Sequence, residues 1–231
     1  MKFNKALIIA AHPDDDILGA GGFMSKFSSR REIRVIFLSE GTSCRFSKEE
    51  IIKNKEKVNE ETNYRNDCAV EALKVLGISD YHFYNLPCGR LDNEPLIDLN
   101  KMIENEISSF EPDIILTHSE DDVNNDHKIV FNSVLTATRP QPRSKLKHLL
   151  SFEILSSSEW RFTKCFIPNI FIELTEKDIK RKWEALSKYD TEIQEYPYPR
   201  SKKGLEVLAN YRGMQCGSEF AEAYRVVRSF L

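Results

Sequence analysis

Lys5-Ala6-Leu7-Ile8-Ile9-Ala10-Ala11-His12-Pro13-Asp14-Asp15-Asp16 runs an unbroken apolar stretch directly into a polar, acidic cluster. A short continuous apolar run bounded by a turn signal is the pattern of a strand buried on both faces of a parallel sheet. Residues 17–29, which include Gly19-Ala20-Gly21-Gly22, read as the helix that follows, with Asp16 as its N-cap. Strand, acidic loop and helix make one half of a βαβ unit.

The rest of the chain repeats that alternation. Glu32 to Leu38 is a second β-branched run, and residues 40–56 form a polar loop. Glu60 to Leu76 has helical periodicity and is closed by Gly77 at the C′ position. Tyr81 to Tyr84 reads as a short strand and Pro95 to Phe110 as a helix with proline in its first turn. Asp113 to Thr117 is another buried strand; a polar loop from His118 to Asp126 and a helix to about Thr138 follow it. Alternating strands and helices predict an α/β fold, a single-domain, doubly wound, mostly parallel sheet of Rossmann-like type. Residues 1–140 form its core. Residues 141–231 form a mixed extension that completes the pocket, with strands at Leu149 to Ile154 and Asn169 to Leu174 and helices near 176–189 and 201–211.

Composition narrows the function. The 231 residues are 41% hydrophobic and 30% charged, as in an ordinary globular chain and unlike a disordered or collagen-like one. No run approaches the length of a transmembrane helix, so no integral membrane association is expected. Net charge is -3, which supplies no basic field for nucleic acid. Five cysteines without C-x-x-C spacing argue against a disulfide framework and a zinc ribbon, and with no export signal they predict the cytoplasm.

In an open parallel sheet, ligands bind beyond the carboxyl ends of the strands. Two polar clusters fall there: His12-Pro13-Asp14-Asp15-Asp16, and His118-Ser119-Glu120-Asp121-Asp122-Val123-Asn124-Asn125-Asp126-His127. Each alone could do no more than cap its helix. Together, several carboxylates on one rim repel one another unless a cation or proton sits among them. Two histidines and one aspartate from such clusters make a three-ligand divalent site with an open position. That set suits Zn2+, and Fe2+ equally. Gly19-Ala20-Gly21-Gly22 is not G-x-G-x-x-G, and the acidic strand end would repel a pyrophosphate; close helix–sheet packing explains these glycines better. His82 and His148 belong to no metal spacing. Cys44 and Cys88 lie in loops near the rim without a histidine to activate them as nucleophiles.

Ala11-His12-Pro13-Asp14-Asp15-Asp16 resembles the A-H-P-D-D-E/D signature of the LmbE/PIG-L family of metal-dependent N-deacetylases. The resemblance continues in Asp121 to His127, in Ser157-Ser158-Glu159-Trp160, and in Arg200-Ser201 and Ala221-Glu222. It implies metal ligands His12, Asp15 and His127, with Asp14 as the general base that takes a proton from water and passes it to the leaving amine. It also implies an N-acetylated sugar or sugar conjugate as substrate, and it admits a homo-oligomer assembled through the last ninety residues. Many relatives carry a histidine where this chain has Asn124, whose amide could polarise the carbonyl without carrying charge. His118, with Asp126 orienting it, is a candidate for the charged role. Arg65 matches a helix arginine that relatives aim at substrate, although Cys68 stands where they often have glutamate. Glu40 and Gly41 follow the second strand and are expected to line the pocket. Arg200 and Arg90 are candidates for a substrate phosphate or carboxylate, and Trp160 and Tyr198 for stacking on a sugar ring. Two other readings stay open: a carbohydrate-binding protein with a structural metal, and an amidase or esterase for a non-sugar acyl group.

Overall fold

The computed structural model describes residues 2–142 and 144–230. Its centre is a seven-stranded sheet in the order β3-β2-β1-β4-β5-β7-β6. The strands are β1 (Lys5–Ala10), β2 (Glu32–Ser39), β3 (Asp80–Leu86), β4 (Ile114–Thr117), β5 (His148–Phe152), β6 (Ile170–Leu174) and β7 (Phe220–Ser229). The β1–β2, β2–β3, β1–β4 and β4–β5 pairs are parallel, whereas β7 runs antiparallel to both β5 and β6. The helices are α1 (Asp15–Phe27), α2 (Lys48–Lys53), α3 (Lys55–Leu76), α4 (Leu96–Phe110), α5 (Asn125–Ala137), α6 (Glu176–Leu186) and α7 (Lys202–Cys216).

Successive residues of a strand point to opposite faces, so β1 feeds two cores at once. Ala6, Ile8 and Ala10 join one apolar cluster with residues of α1, α3 and α6. Leu7, Ile9 and Ala11 join the other with residues of α4 and α5. The chain order reverses between β1 and β4, whose neighbours diverge to opposite edges. That switch point opens a crevice at their carboxyl ends, into which both polar clusters project.

Several boundaries differ from the sequence expectation. Helix α1 begins at Asp15, and Asp16 lies inside its first turn with no capping role. The loop 40–56 contains α2, whose capping box pairs Ser47 with Glu50. None of its residues is buried, so no apolar stripe announces it. The segment 220–229 is a ten-residue strand that the sequence pattern does not announce. Gly77 ends α3 in the left-handed region at φ 77°, as expected.

The glycines of α1 serve packing. A Cβ at Gly19 would lie 2.3 Å from the Phe152 ring, and one at Gly22 would lie 2.4 Å from Leu174 Cδ1. Gly19→Ala should therefore cost about 1–3 kcal/mol by overpacking, read as a lower urea midpoint with an unchanged slope.

Candidate active site

The strand β1 ends at Ala10, and the turn that follows brings His12, Asp14 and Asp15 to the crevice. Asp14 adopts φ 117°, a left-handed conformation that is a genuine strain for an aspartate. The turn is tied by the backbone N–H of His12, which donates to Asp15 Oδ2 at 2.9 Å. On the far side of the switch point, Asn124 caps α5: its Oδ1 accepts the N–H of Asp126 at 2.9 Å. That cap sets the first turn of α5, from which Asp126 and His127 project. Asn124→Ala should lower stability by about 1 kcal/mol through loss of the cap, measured by thermal unfolding.

Asp15 Oδ2 is the point of convergence. His12 Nδ1 lies 3.1 Å from it and His127 Nε2 lies 3.2 Å from it. His12, Asp15 and His127 form a buried group able to hold one metal ion. Their separations are close to the edge of a tetrahedron of nitrogen and oxygen donors around zinc, about 3.3 Å for bonds of about 2.0–2.1 Å. Asp15 Oδ1 and both ring nitrogens of His127 are buried without a well-formed hydrogen bond among the described residues. The donor set therefore fits a divalent ion.

The outer nitrogens of the two rings each face a further carboxylate. His12 Nε2 lies 3.0 Å from Asp126 Oδ2, and His127 Nδ1 lies 3.2 Å from Asp122 Oδ1. The hydrogen bond of His12 to Asp126 is of the kind that fixes a histidine's tautomer and ring plane, while Asp122 faces His127 as a charge neighbour. Asp126 is held in turn by the N–H groups of Gly89 (2.6 Å) and Leu91 (3.3 Å). Asp122 accepts from the hydroxyls of Ser157 and Ser158 and from the N–H of Asn124. Burial opposes charge on His12, yet its hydrogen bonds to Asp126 and Asp15 raise its pKa to about 10. His127 behaves alike: burial opposes, Asp15 and Asp122 prevail, and the value rises to about 9. Three carboxylates thus set a negative field around two imidazoles, which suits a cation.

Asp14 lies beside this group, 1% exposed. Arg200 donates to its Oδ2 at 2.5 Å, and an Arg65 nitrogen lies 3.1 Å from the same oxygen. Arg65 is no surface residue: it is buried, and its Nε donates to the carbonyl of Pro13 at 3.0 Å. Glu192 joins Arg65, Arg45 and Arg200 from the loop after α6.

Other candidates stand differently. His118 is fully enclosed, stacked on His127 with ring centroids 3.9 Å apart. Its Nε2 accepts the N–H of Ala11 at 2.8 Å, so that nitrogen carries no proton. Burial, reinforced by the His127 charge, lowers its pKa to about 3. Asp126 meets the ring of His12 and is not paired with His118. The two oxygens of Glu40 accept the N–H groups of Thr42, Ser43 and Cys88, which shapes the pocket wall from behind. Arg90 donates to the carbonyls of Ser43, Phe46 and Cys88. Trp160 is 42% exposed, in a short turn on the segment that also carries Ser157 and Ser158.

Two contributors lie outside the sequence expectations. Asp122 belongs to the second polar cluster without an assigned part there, although its place just before the α5 cap aims it at the outer side of a helix-borne ligand. Glu192 sits in an irregular stretch of mixed polar residues and offers no periodic signal.

Known proteins resemble this arrangement at two levels. A search of curated proteins finds no match. Among solved structures, N,N'-diacetylchitobiose deacetylase from Pyrococcus horikoshii is similar at TM-score 0.75 and 17% identity, over 98% of this chain and 85% of that one. The conserved protein TT1542 from Thermus thermophilus is similar at TM-score 0.72 and 18% identity, over 98% and 96% of the two chains. GalB, the 4-carboxy-2-hydroxymuconate hydratase of Pseudomonas putida, is similar at TM-score 0.74 and 19% identity, over 99% and 98%. At such identities these likenesses speak for the fold. The family model described as "PIG-L: GlcNAc-PI de-N-acetylase" matches residues 7–138, which hold both polar clusters and all three convergent side chains. The chain belongs to the PIG-L family.

Proposed function

We propose that this protein is a metal-dependent N-deacetylase that hydrolyses the acetamide of an N-acetylated sugar or sugar conjugate to acetate and a free amine. The observation that carries the reading is the convergence of His12, Asp15 and His127 on one point, with the Asp14 carboxylate beside it. The family supports the reaction class, and structural neighbours described as deacetylases of chitobiose and teicoplanin accord with a sugar-bearing substrate.

His12, Asp15 and His127, a donor set that accepts zinc or ferrous iron alike, would hold the ion. When bound, it supplies Lewis acidity, polarising a carbonyl and lowering the pKa of water to roughly 7. Asp14 takes the proton released by water and delivers it to the departing nitrogen. Arg200 and Arg65 hold the Asp14 carboxylate in one orientation. Asp126 keeps His12 in the ligating tautomer, and Asp122 faces His127 as a charge neighbour. Asn124 commits its Oδ1 to the cap, which leaves its NH2 group as the donor side for a developing oxyanion.

A purely structural metal in a carbohydrate-binding protein would leave the strained Asp14 without a task. Strain of about 1–3 kcal/mol persists where function requires the geometry. The hydratase among the neighbours makes the reaction worth testing directly. The experiment is acetate release by zinc-loaded protein from free, nucleotide-linked and lipid-linked N-acetylhexosamines. Release from any of them that needs the metal supports the reading, and the best substrate names the conjugate. No release across the panel, with zinc verified in the protein, overturns it.

A further inference from the structure

Cys88 is a buried thiol at the rim that the proposed chemistry leaves without a task. Its Sγ, a ring nitrogen of His12 and a carboxylate oxygen of Asp126 lie within 4.8 Å of one another, and all three residues are buried. The exposed Cys44 lies on the facing loop, beside Gly89. The three buried side chains offer one nitrogen, one oxygen and one sulfur, and Cys44 on the facing loop carries a second sulfur, a donor set for a thiophilic divalent ion.

The surrounding loops hold these atoms in place. The N–H of Cys88 donates to Glu40 Oε1 at 3.0 Å and to Ser43 Oγ at 3.1 Å. Arg90 ties the same two loops together through the carbonyls of Ser43, Phe46 and Cys88. Gly89 lies in the left-handed region at φ 68°, and a Cβ there would stand 3.1 Å from Cys44 Cβ, so the two loops meet at close range. The N–H of Gly89 fixes the Asp126 carboxylate.

We propose that His12 Nε2, Asp126 and Cys88, with Cys44 as fourth donor, form a second metal position for a soft divalent ion, and that this position competes with the first for His12. A neutral imidazole has one lone-pair nitrogen. In the first position Nδ1 ligates and Nε2 keeps its proton for Asp126. In the second, Nε2 ligates and Nδ1 carries the proton toward Asp15. Occupying the second position therefore withdraws a ligand from the first, and metal binding releases the thiol protons to solvent. The separation of 3.0 Å between His12 Nε2 and Asp126 Oδ2 already approaches the donor spacing of about 3.3 Å around a tetrahedral ion. The proposal does not depend on the deacetylase reading.

Cadmium is the probe, because its thiolate complexes absorb in the ultraviolet. Titration of reduced, metal-free protein should give a thiolate-to-cadmium charge-transfer band that saturates at one ion per chain. Cys88→Ser should abolish the band while still binding one zinc ion, and Cys44→Ser should weaken it. Zinc-loaded wild-type protein should lose zinc to cadmium at least tenfold more readily than zinc-loaded Cys88→Ser. Absence of the band in reduced wild-type protein overturns the proposal. A band that persists undiminished in Cys88→Ser also overturns it, since Cys165 or Cys216 would then be the source.

Discussion

Asp14→Asn should lower kcat by roughly 10²–10⁴-fold while leaving one metal ion per chain. The amide keeps the size of the carboxylate, and it still meets the guanidinium groups of Arg200 and Arg65. What it loses is the capacity to take a proton. The proposed ligands His12, Asp15 and His127 are untouched, so metal content separates loss of a base from loss of the site. A metal-loaded variant within threefold of wild-type kcat would remove Asp14 from the chemistry. A variant that loses its metal would make Asp14 a scaffold residue for the turn. Its Oδ2 distances to Arg200 and Arg65, 2.5 and 3.1 Å, favour the first outcome, because those contacts hold the carboxylate without drawing on the ligand atoms.

Glu222→Ala should cost about 3–5 kcal/mol of stability. Glu222 sits inside the structure and accepts four hydrogen bonds: from the N–H groups of Gly22 and Phe23, from Tyr224 and from the ammonium of Lys182 at 2.6 Å. Lys182 is buried as well and also donates to the carbonyl of Leu18. These contacts flank Ala20, where the α1 backbone leaves helical geometry at φ -141°. Removing the carboxylate strands a buried ammonium and two buried amide N–H groups at the break in the helix. Lys182→Met added to the same chain should recover part of the loss, namely the share owed to the lone charge. Urea unfolding measures both. A single-variant cost under about 1 kcal/mol would show that solvent reaches the pair.

Both expectations rest on parts of the molecule that the sequence exposes unequally. The two polar clusters are legible as one rim because each follows an apolar strand directly and parallel strands bring their carboxyl ends together, whereas the choice of His12, Asp15 and His127 within them is what the family resemblance implies. The helix after β1 is legible too, and its glycines read as the packing residues they are. The strand β7 is not. Alternation in Ala221-Glu222-Ala223-Tyr224 sets a carboxylate facing inward, and inward charge reads as solvent-facing until Lys182 is known to stand opposite. His118 misleads because a histidine at a strand end looks available. Only the fold shows its ring stacked behind a ligand and its Nε2 taken by a backbone amide. Glu192 escapes notice because its ion pairs reach Arg45 and Arg65 in distant segments as well as Arg200 in its own loop, and leave no local pattern.

The position of β7 has a consequence for how the chain comes together during translation. His12, Asp15, His127 and the strands β1 to β4 leave the ribosome before any of residues 148–229. Among the described residues strand β6 pairs only with β7, which follows the other six strands in the chain and must enter between β5 and β6. Arg200, the closest partner of Asp14, is carried on this late portion. Synthesis from the N-terminus therefore completes the proposed ligand set first, and adds Arg200, which anchors Asp14, and strand β7 afterwards.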